Sequence, residues 1–303
     1  MENIVVTGGC GFIGSNLTME LEKRYPKANI TVIDDFRGSC FKNLLQYRGD
    51  FLPFSVTEKG WIETLRRKPI DIIFHLASIT DTTVLDEKKM MNDNVEGLRN
   101  ILELAREKKA IVVYASSAAV YGSQDKAMKE EDGGVPNNIY GYSKWVMENL
   151  AREYTDLRVM GLRYFNVFGP REYYKKHASS MIYQLALQMI AGKRPRIFKM
   201  GEQKRDFVYV KDVVEATIMA KDSKVNTTIN VGTGEATSFN ELIAAINEAL
   251  GTSYEPDYFD NPYDFYQNYT QADMSHTEAT IGFKRKYSTR EGIIDYVRNY
   301  LNK

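Results

Sequence analysis

The stretch Thr7-Gly8-Gly9-Cys10-Gly11-Phe12-Ile13-Gly14 decides the fold. It follows the β-branched run Ile4-Val5-Val6 and leads into helical spacing over residues 15–24, so it reads as a glycine-rich turn between a strand and a helix. Glycines permit the tight turn and let backbone amides approach a pyrophosphate, which the helix dipole favours at that end. In this context the turn predicts a dinucleotide site over the plainer reading of a bare strand-to-helix connection. Asp34 lies twenty residues after Gly14, at the end of the next apolar run, where a ribose-binding acid is expected. Cys10, inside the turn, reads as a small filler.

Outward from the turn, short apolar runs recur at Ile30-Thr31-Val32-Ile33, Ile70-Asp71-Ile72-Ile73-Phe74 and Ile111-Val112-Val113-Tyr114. Helical spacing separates them over 92–108 and continues beyond them over 142–154, with Leu98, Ile101, Leu102 and Ala105 on one face. Apolar strands alternating with helices predict an α/β fold, a Rossmann-type doubly wound parallel sheet. After Pro170 come a loop rich in Tyr and Lys, a helix over 181–191, a strand over 206–210, a helix over 212–221 and a strand over 228–231. Ser238 with Glu241 three residues on marks a capping box that opens a helix over 238–250. This pattern predicts a nucleotide-binding domain over 1–165 with a returning segment at about 206–232. A smaller, interleaved C-terminal α/β substrate domain is expected over 166–205 and 233–303.

With 303 residues the chain can bury a large core. Its 40 basic and 40 acidic residues cancel, so no long-range field draws it to nucleic acid or to an anionic membrane. Two cysteines cannot make a disulfide framework and fit a reducing cytosol, and three histidines argue against a metal site. No stretch is long and apolar enough to span a bilayer, and the opening Met1-Glu2-Asn3 enters a strand at once. A cytoplasmic enzyme is the expected class.

The chemistry is expected where Tyr114-Ala115-Ser116-Ser117-Ala118-Ala119-Val120-Tyr121 extends the fourth run and Tyr140-Gly141-Tyr142-Ser143-Lys144 opens a helix. Tyr140 and Lys144 stand one turn apart, so a lysine cation on the same face would favour the phenolate. Ser117 can hydrogen-bond the same substrate hydroxyl. A surface Tyr–Lys pair is the bland alternative, which the glycine turn upstream makes the weaker reading.

These segments, with Arg163-Tyr164-Phe165-Asn166-Val167-Phe168-Gly169-Pro170-Arg171, resemble the extended short-chain dehydrogenase/reductase superfamily over nearly the whole chain. The resemblance implies oxidation or epimerisation of nucleotide-sugars with tightly held NAD or NADP. It also implies cofactor contacts at Gly8, Gly11, Phe12, Ile13, Gly14, Asp34, Asp35, Arg37, Leu76, Ala77, Ser78, Asn94, Tyr140, Lys144 and Val167. One departure is Phe54-Ser55-Val56-Thr57, where the superfamily carries an acid against the adenine; Ser55 or the backbone stands in. Asp34 favours NAD, whereas Arg37 could receive the 2′-phosphate of NADP, and the resemblance tips the expectation to NADP.

More specifically, the chain resembles the ADP-L-glycero-D-manno-heptose 6-epimerases through Pro170-Arg171-Glu172-Tyr173-Tyr174-Lys175, residues 201–210, Asn261-Pro262-Tyr263 and residues 266–272. That family uses a lysine as a second acid/base opposite the tyrosine, which maps to Lys175, with adjacent Lys176 as its rival. By the same resemblance Asn166, His177, Gln184, Phe198, Lys199, Met200, Gly201, Arg205 and Tyr266 align with substrate contacts. Arg205 offers a fork for a diphosphate, or else a structural pair with Asp206.

The resulting expectation is a nucleotide-sugar epimerase acting on ADP-heptose for a bacterial cell-surface glycan, as a homo-oligomer. A UDP-hexose 4-epimerase is the alternative, and a non-catalytic nucleotide-binding regulator is the reading from a different class. A 4,6-dehydratase is disfavoured because Ala118-Ala119 stand where members carry acidic residues.

Overall fold

The computed structural model describes residues 2–81, 86–260 and 268–302, except the side chain of Lys199. Strands β1 (Asn3–Thr7), β2 (Asn29–Ile33), β3 (Asp50–Leu52), β4 (Ile72–His75), β5 (Ile111–Ser117) and β6 (Val159–Tyr164) alternate with helices. These are α1 (Phe12–Arg24), α2 (Gly60–Arg66), α3 (Glu87–Met91), α4 (Gly97–Lys108) and α5 (Ile139–Arg152). The second half adds β7 (Asn166–Phe168), α6 (Met181–Ile190), β8 (Arg196–Phe198), β9 (Lys204–Arg205), β10 (Phe207–Tyr209), α7 (Val210–Ala220) and β11 (Thr227–Val231). It ends with β12 (Thr237–Ser238), α8 (Phe239–Leu250), β13 (Asp257–Phe259), α9 (Ser275–Ile281) and α10 (Thr289–Tyr296).

Seven strands form one parallel sheet in the order β11-β6-β5-β4-β1-β2-β3. The period of two explains why both faces are covered. Ile4 and Val6 pack with Leu17 and Leu21 of α1, whereas Val5 joins Leu98, Ile101 and Leu102 of α4 on the other face. Strand β11 comes from the second half of the chain yet completes the sheet against β6. Beyond the sheet, β7 pairs with β10, β9 with β12 and β8 with β13.

The helix expected over 92–108 is interrupted. Residues Asn92–Glu96 form one wide π turn between α3 and α4, in which Asp93 and Asn94 are turned inward and buried. The strand expected over 206–210 stops at Tyr209, because Val210 already begins α7. The capping box at Ser238 and Glu241 is present, each side chain meeting the other's backbone N–H. Among the described residues no helix is long and apolar enough to cross a membrane.

Candidate active site

Strand order reverses between β1 and β4, and a parallel sheet opens a crevice at the carboxyl ends of such a pair. Both ends carry the expected segments. Gly8 has φ +69°, and a Cβ there would lie 2.7 Å from the Ala77 nitrogen, so only glycine lets the turn cross the loop after β4. A Cβ on Gly14 would meet the Gly8 carbonyl at 2.0 Å, whereas one on Gly11 would touch only that carbonyl and otherwise fill the open mouth of the turn. That mouth, facing the start of α1 at Phe12 and Ile13, fits a pyrophosphate.

At the end of β2, Asp34 is buried and accepts from the Cys10 N–H at 2.9 Å, the Phe36 N–H at 2.8 Å and the Ser39 hydroxyl at 2.7 Å. Burial, with the charge of Asp34, pushes the Cys10 thiol up to about 12, so it is no nucleophile at neutral pH. Arg37 stands beside Asp34. Its guanidinium donates to Asp35 at 2.5 Å, to Asp93 at 2.5 Å and to the Ser55 hydroxyl at 3.0 Å. Ser55, expected near the adenine, is thus joined to Arg37. Asn94 reaches from the π turn to the chain after β4, accepting from the Ile79 N–H at 2.8 Å and donating to Ser143 at 2.9 Å. It braces the Leu76, Ala77 and Ser78 loop against α5.

Helix α5 presents Tyr140 and Lys144, its start fixed by Asn138, which accepts from the Gly141 N–H at 2.8 Å. Lys144 Nζ lies 5.8 Å from the Tyr140 ring centroid, and it donates to Ser78 Oγ at 2.7 Å and to the Ala115 carbonyl at 2.8 Å. Burial pushes the Lys144 ammonium down to about 7, against the pull of Glu148. Burial likewise raises the Tyr140 phenol, and a hydrogen bond with Ser117 works the other way. The pair is therefore closer than expected to a neutral phenol beside a lysine that titrates near neutrality. Ser117, the last residue of β5, also accepts from the Ala119 N–H at 3.1 Å.

The loop after β7 packs against α1 and the glycine turn. Asn16 donates to the Pro170 carbonyl at 2.9 Å, and Asn43 to those of Arg171 at 3.2 Å and Cys10 at 3.0 Å. These bonds dock the loop on the glycine turn. Lys175 Nζ consequently sits 5.6 Å from the Phe12 ring centroid, half-buried, and burial lowers its pKa while Glu172 raises it. Lys176 is exposed, and its backbone stands at φ 54° and ψ −124°.

Of the residues aligned with substrate contacts, Asn166 donates to the Asp206 carbonyl at 3.0 Å and to Thr270 at 3.2 Å, while Val167 neighbours it in β7. Gln184 donates to the His177 and Ser179 carbonyls, and exposed His177 lies 3.1 Å from Asp81. Phe198 meets Phe259 edge to face; Met200 and Gly201 form a turn in which both have positive φ. Lys199 shares that turn, and Tyr266 lies outside the described residues. Arg205 is buried, its Nη1 donating to the Lys204 carbonyl at 3.2 Å. Asp206 is occupied elsewhere, accepting from the Thr233, Gly234 and Ala272 N–H groups and the Thr233 hydroxyl.

Sequence reasoning overlooked three buried groups: Asp93 holding Arg37, His75 beside Lys144, and Glu148 beneath it. Only Glu148 carried a signal, four residues after Lys144 on the same helical face.

The profile of the NAD dependent epimerase/dehydratase family matches residues 4–232. An ADP-L-glycero-D-manno-heptose-6-epimerase of Alkalilimnicola ehrlichii is 35% identical over 99% of this chain and 96% of its own length. The crystal structure of Helicobacter pylori ADP-L-glycero-D-manno-heptose-6-epimerase matches with a TM-score of 0.93 at 38% identity, covering 98% of this chain and 95% of that one. UDP-glucose 4-epimerase of Thermotoga maritima, solved with UDP-glucose, gives 0.89 at 27% identity over 97% of each chain. The glycine turn at the switch point, the Tyr–Lys pair on α5 and these likenesses agree: the chain belongs to the NAD dependent epimerase/dehydratase family.

Proposed function

We propose that this chain is a nucleotide-sugar epimerase that inverts carbon six of an ADP-linked glycero-manno-heptose. One observation carries the reading beyond the family: Asn16 and Asn43 dock the 170–175 loop on the glycine turn and bring Lys175 over Phe12, while Tyr140 enters from α5. An inverting site needs a proton carrier on each face of a planar ketone, and these two groups come from different walls. When bound, the dinucleotide supplies removal and return of hydride at the carbinol carbon. Tyr140 takes or gives the hydroxyl proton on one face, with Ser117 holding the same oxygen and Lys144 tuning the phenol. Lys175 serves the other face, because it is half-buried with a lowered pKa whereas Lys176 stands in solvent. Carbon six lies outside the sugar ring, so rotation of a small arm presents the second face. Arg205 binds the diphosphate within a substrate domain over 166–205 and 233–303.

The dinucleotide is NADP in this reading. Three of about four lone-pair positions on the Asp34 carboxylate are already used, leaving little to hold a ribose diol, and Arg37 is fixed beside it with a planar fork. NAD is the second reading, favoured by the carboxylates of Asp35 and Asp93 that offset the Arg37 charge. The free thiols Cys10 and Cys40 suit a reducing compartment, so we place the enzyme, as a homo-oligomer, in the cytoplasm.

The test is an NMR assay with ADP- and UDP-linked sugars that tracks which carbon inverts. Inversion at carbon six of ADP-heptose is expected; inversion at carbon four of a UDP-hexose alone overturns the reading. Chromatography of the dinucleotide released on denaturation should give NADP, and release of NAD alone reverses that choice.

A further inference from the structure

The loop that carries Lys175 has an improbable backbone. Within eight residues Gly169, Arg171 and Lys176 take φ of 143°, 76° and 54°, a region that side chains with a Cβ seldom enter. Such a shape persists only when surrounding bonds over-determine it. Here the inner bonds converge on Glu172, which is fully buried. Its Oε1 accepts from the Gly169 N–H at 3.0 Å and the Ser180 hydroxyl at 3.0 Å, and its Oε2 accepts from the Ser180 N–H at 2.6 Å. One carboxylate thus ties the first residue of the loop to the N-cap of α6. The Glu172 carbonyl meanwhile accepts from the Lys175 N–H at 2.9 Å.

We propose that Glu172 is the positioning residue for Lys175, its buried carboxylate closing the 169–180 loop in the one shape that turns the ammonium toward the glycine turn. The proposal rests on the reading of Lys175 as the second proton carrier. Several groups share the surroundings of this carboxylate. Its charge supports the Lys175 ammonium against burial, and the phenols of Tyr296 and Tyr183 are pushed up by burial and by the same negative charge. Outside, Asn16 and Asn43 fix Pro170 and Arg171 to the glycine turn, so the loop is clamped from both walls. Losing the inner clamp frees the backbone to relax to ordinary φ, and Lys175 then leaves its seat over Phe12.

The test uses the full-length holoenzyme and two variants. Glu172→Gln sets an amide N–H₂ against donors that now meet carboxylate oxygens. Ser180→Pro removes both Ser180 donors, together with the cap that the hydroxyl gives the Tyr183 N–H, and fits the local backbone, because Ser180 already has φ −61° and ψ 152°. For each, kcat and KM are measured, together with acetic anhydride labelling of Lys175 relative to Lys176 by mass spectrometry. A displaced acid/base costs about 100-fold in kcat for a shift of about 1 Å, with KM little changed. Lys175, slower to label than Lys176 in the parent, should label as fast as its neighbour in the variants. A parental kcat and labelling ratio in either folded variant overturns the proposal. If Lys175→Met inverts at the parental rate, the two-base reading fails by itself, and the labelling ratio still decides whether Glu172 sets the lysine.

Discussion

His75 should make the protein acid-labile in a way that one substitution isolates. It ends β4 with 1% of its surface exposed, and its Nδ1 lies 2.8 Å from the Thr7 hydroxyl. Burial, then the charge of Lys144, pushes the imidazole down to about 3 from an ordinary 6.5. A base with a depressed folded pKa binds fewer protons folded than unfolded between those two values. Its contribution is therefore fully present above pH 6.5 and is lost as pH falls toward 3. From pH 7.5 to 5 the unfolded histidine takes up its proton over about one and a half units, which removes about 2 kcal/mol of stability. Glu172 and Asp206, whose pKa values burial raises, act in the opposite direction and must be cancelled. Urea unfolding of the parent and of His75→Gln, at both pH values, cancels them in the difference. Glutamine can still bond Thr7 and does not titrate. The stability gap between parent and variant should shrink by about 2 kcal/mol on going to pH 5. A gap that stays constant would falsify the neutral, buried imidazole.

Tyr140→Phe should lower turnover by about 100- to 10,000-fold with the dinucleotide still bound, read by product NMR and the absorbance of the purified protein. Lys144→Met removes the bonds to Ser78 and Ala115, so activity and dinucleotide affinity should fall together in a fluorescence titration; unchanged affinity would show that the lysine does not hold the dinucleotide. Lys175→Met should suppress inversion by about 100-fold or more with nucleotide-sugar binding retained by calorimetry. Lys176→Met should do little, and a greater loss at Lys176 reverses the assignment. Gly14→Ala places a Cβ 2.0 Å from the Gly8 carbonyl, and the purified protein should lack bound dinucleotide.

The sheet was legible because its determinants are local. Each central strand is a short β-branched run, and the glycine turn fixes the path from β1 into α1. The Tyr140 and Lys144 spacing needed only the helical period. What escaped the sequence was the π turn at residues 92–96, since polar Asn92, Asp93 and Asn94 read as an ordinary helix start. Asp93 and Asn94 are buried, and beside near neighbours Lys89 and Met90 they meet distant partners: Asp93 is held by Arg37 across 56 positions, and Asn94 by Ile79 and Ser143. No periodicity encodes such bonds.

Glu148 shows the same limit at the centre of the site. Four residues beyond Lys144, it reads as half of an exposed helical pair, a reading worth only a few tenths of a kcal/mol. Its burial comes instead from sheet register. Ser116 of β5 lies opposite Arg163 of β6, and both reach under α5 to the same carboxylate, Ser116 at 2.5 Å and Arg163 at 2.9 and 2.7 Å. Ser116 adjoins Ser117, and the Ala115 carbonyl before it receives Lys144. A buried carboxylate bonded by a bidentate arginine and a hydroxyl has three of its roughly four lone-pair positions used, and breaking one of these bonds leaves buried charge without compensation. The network therefore ties the end of β5 rigidly to the helix that carries Tyr140 and Lys144. Glu172 is likewise buried and bonded to Gly169 and Ser180 at the two ends of the loop that carries Lys175, so an acid that looks exposed in the sequence becomes, through burial and pairing, a fixed point behind each proposed proton carrier.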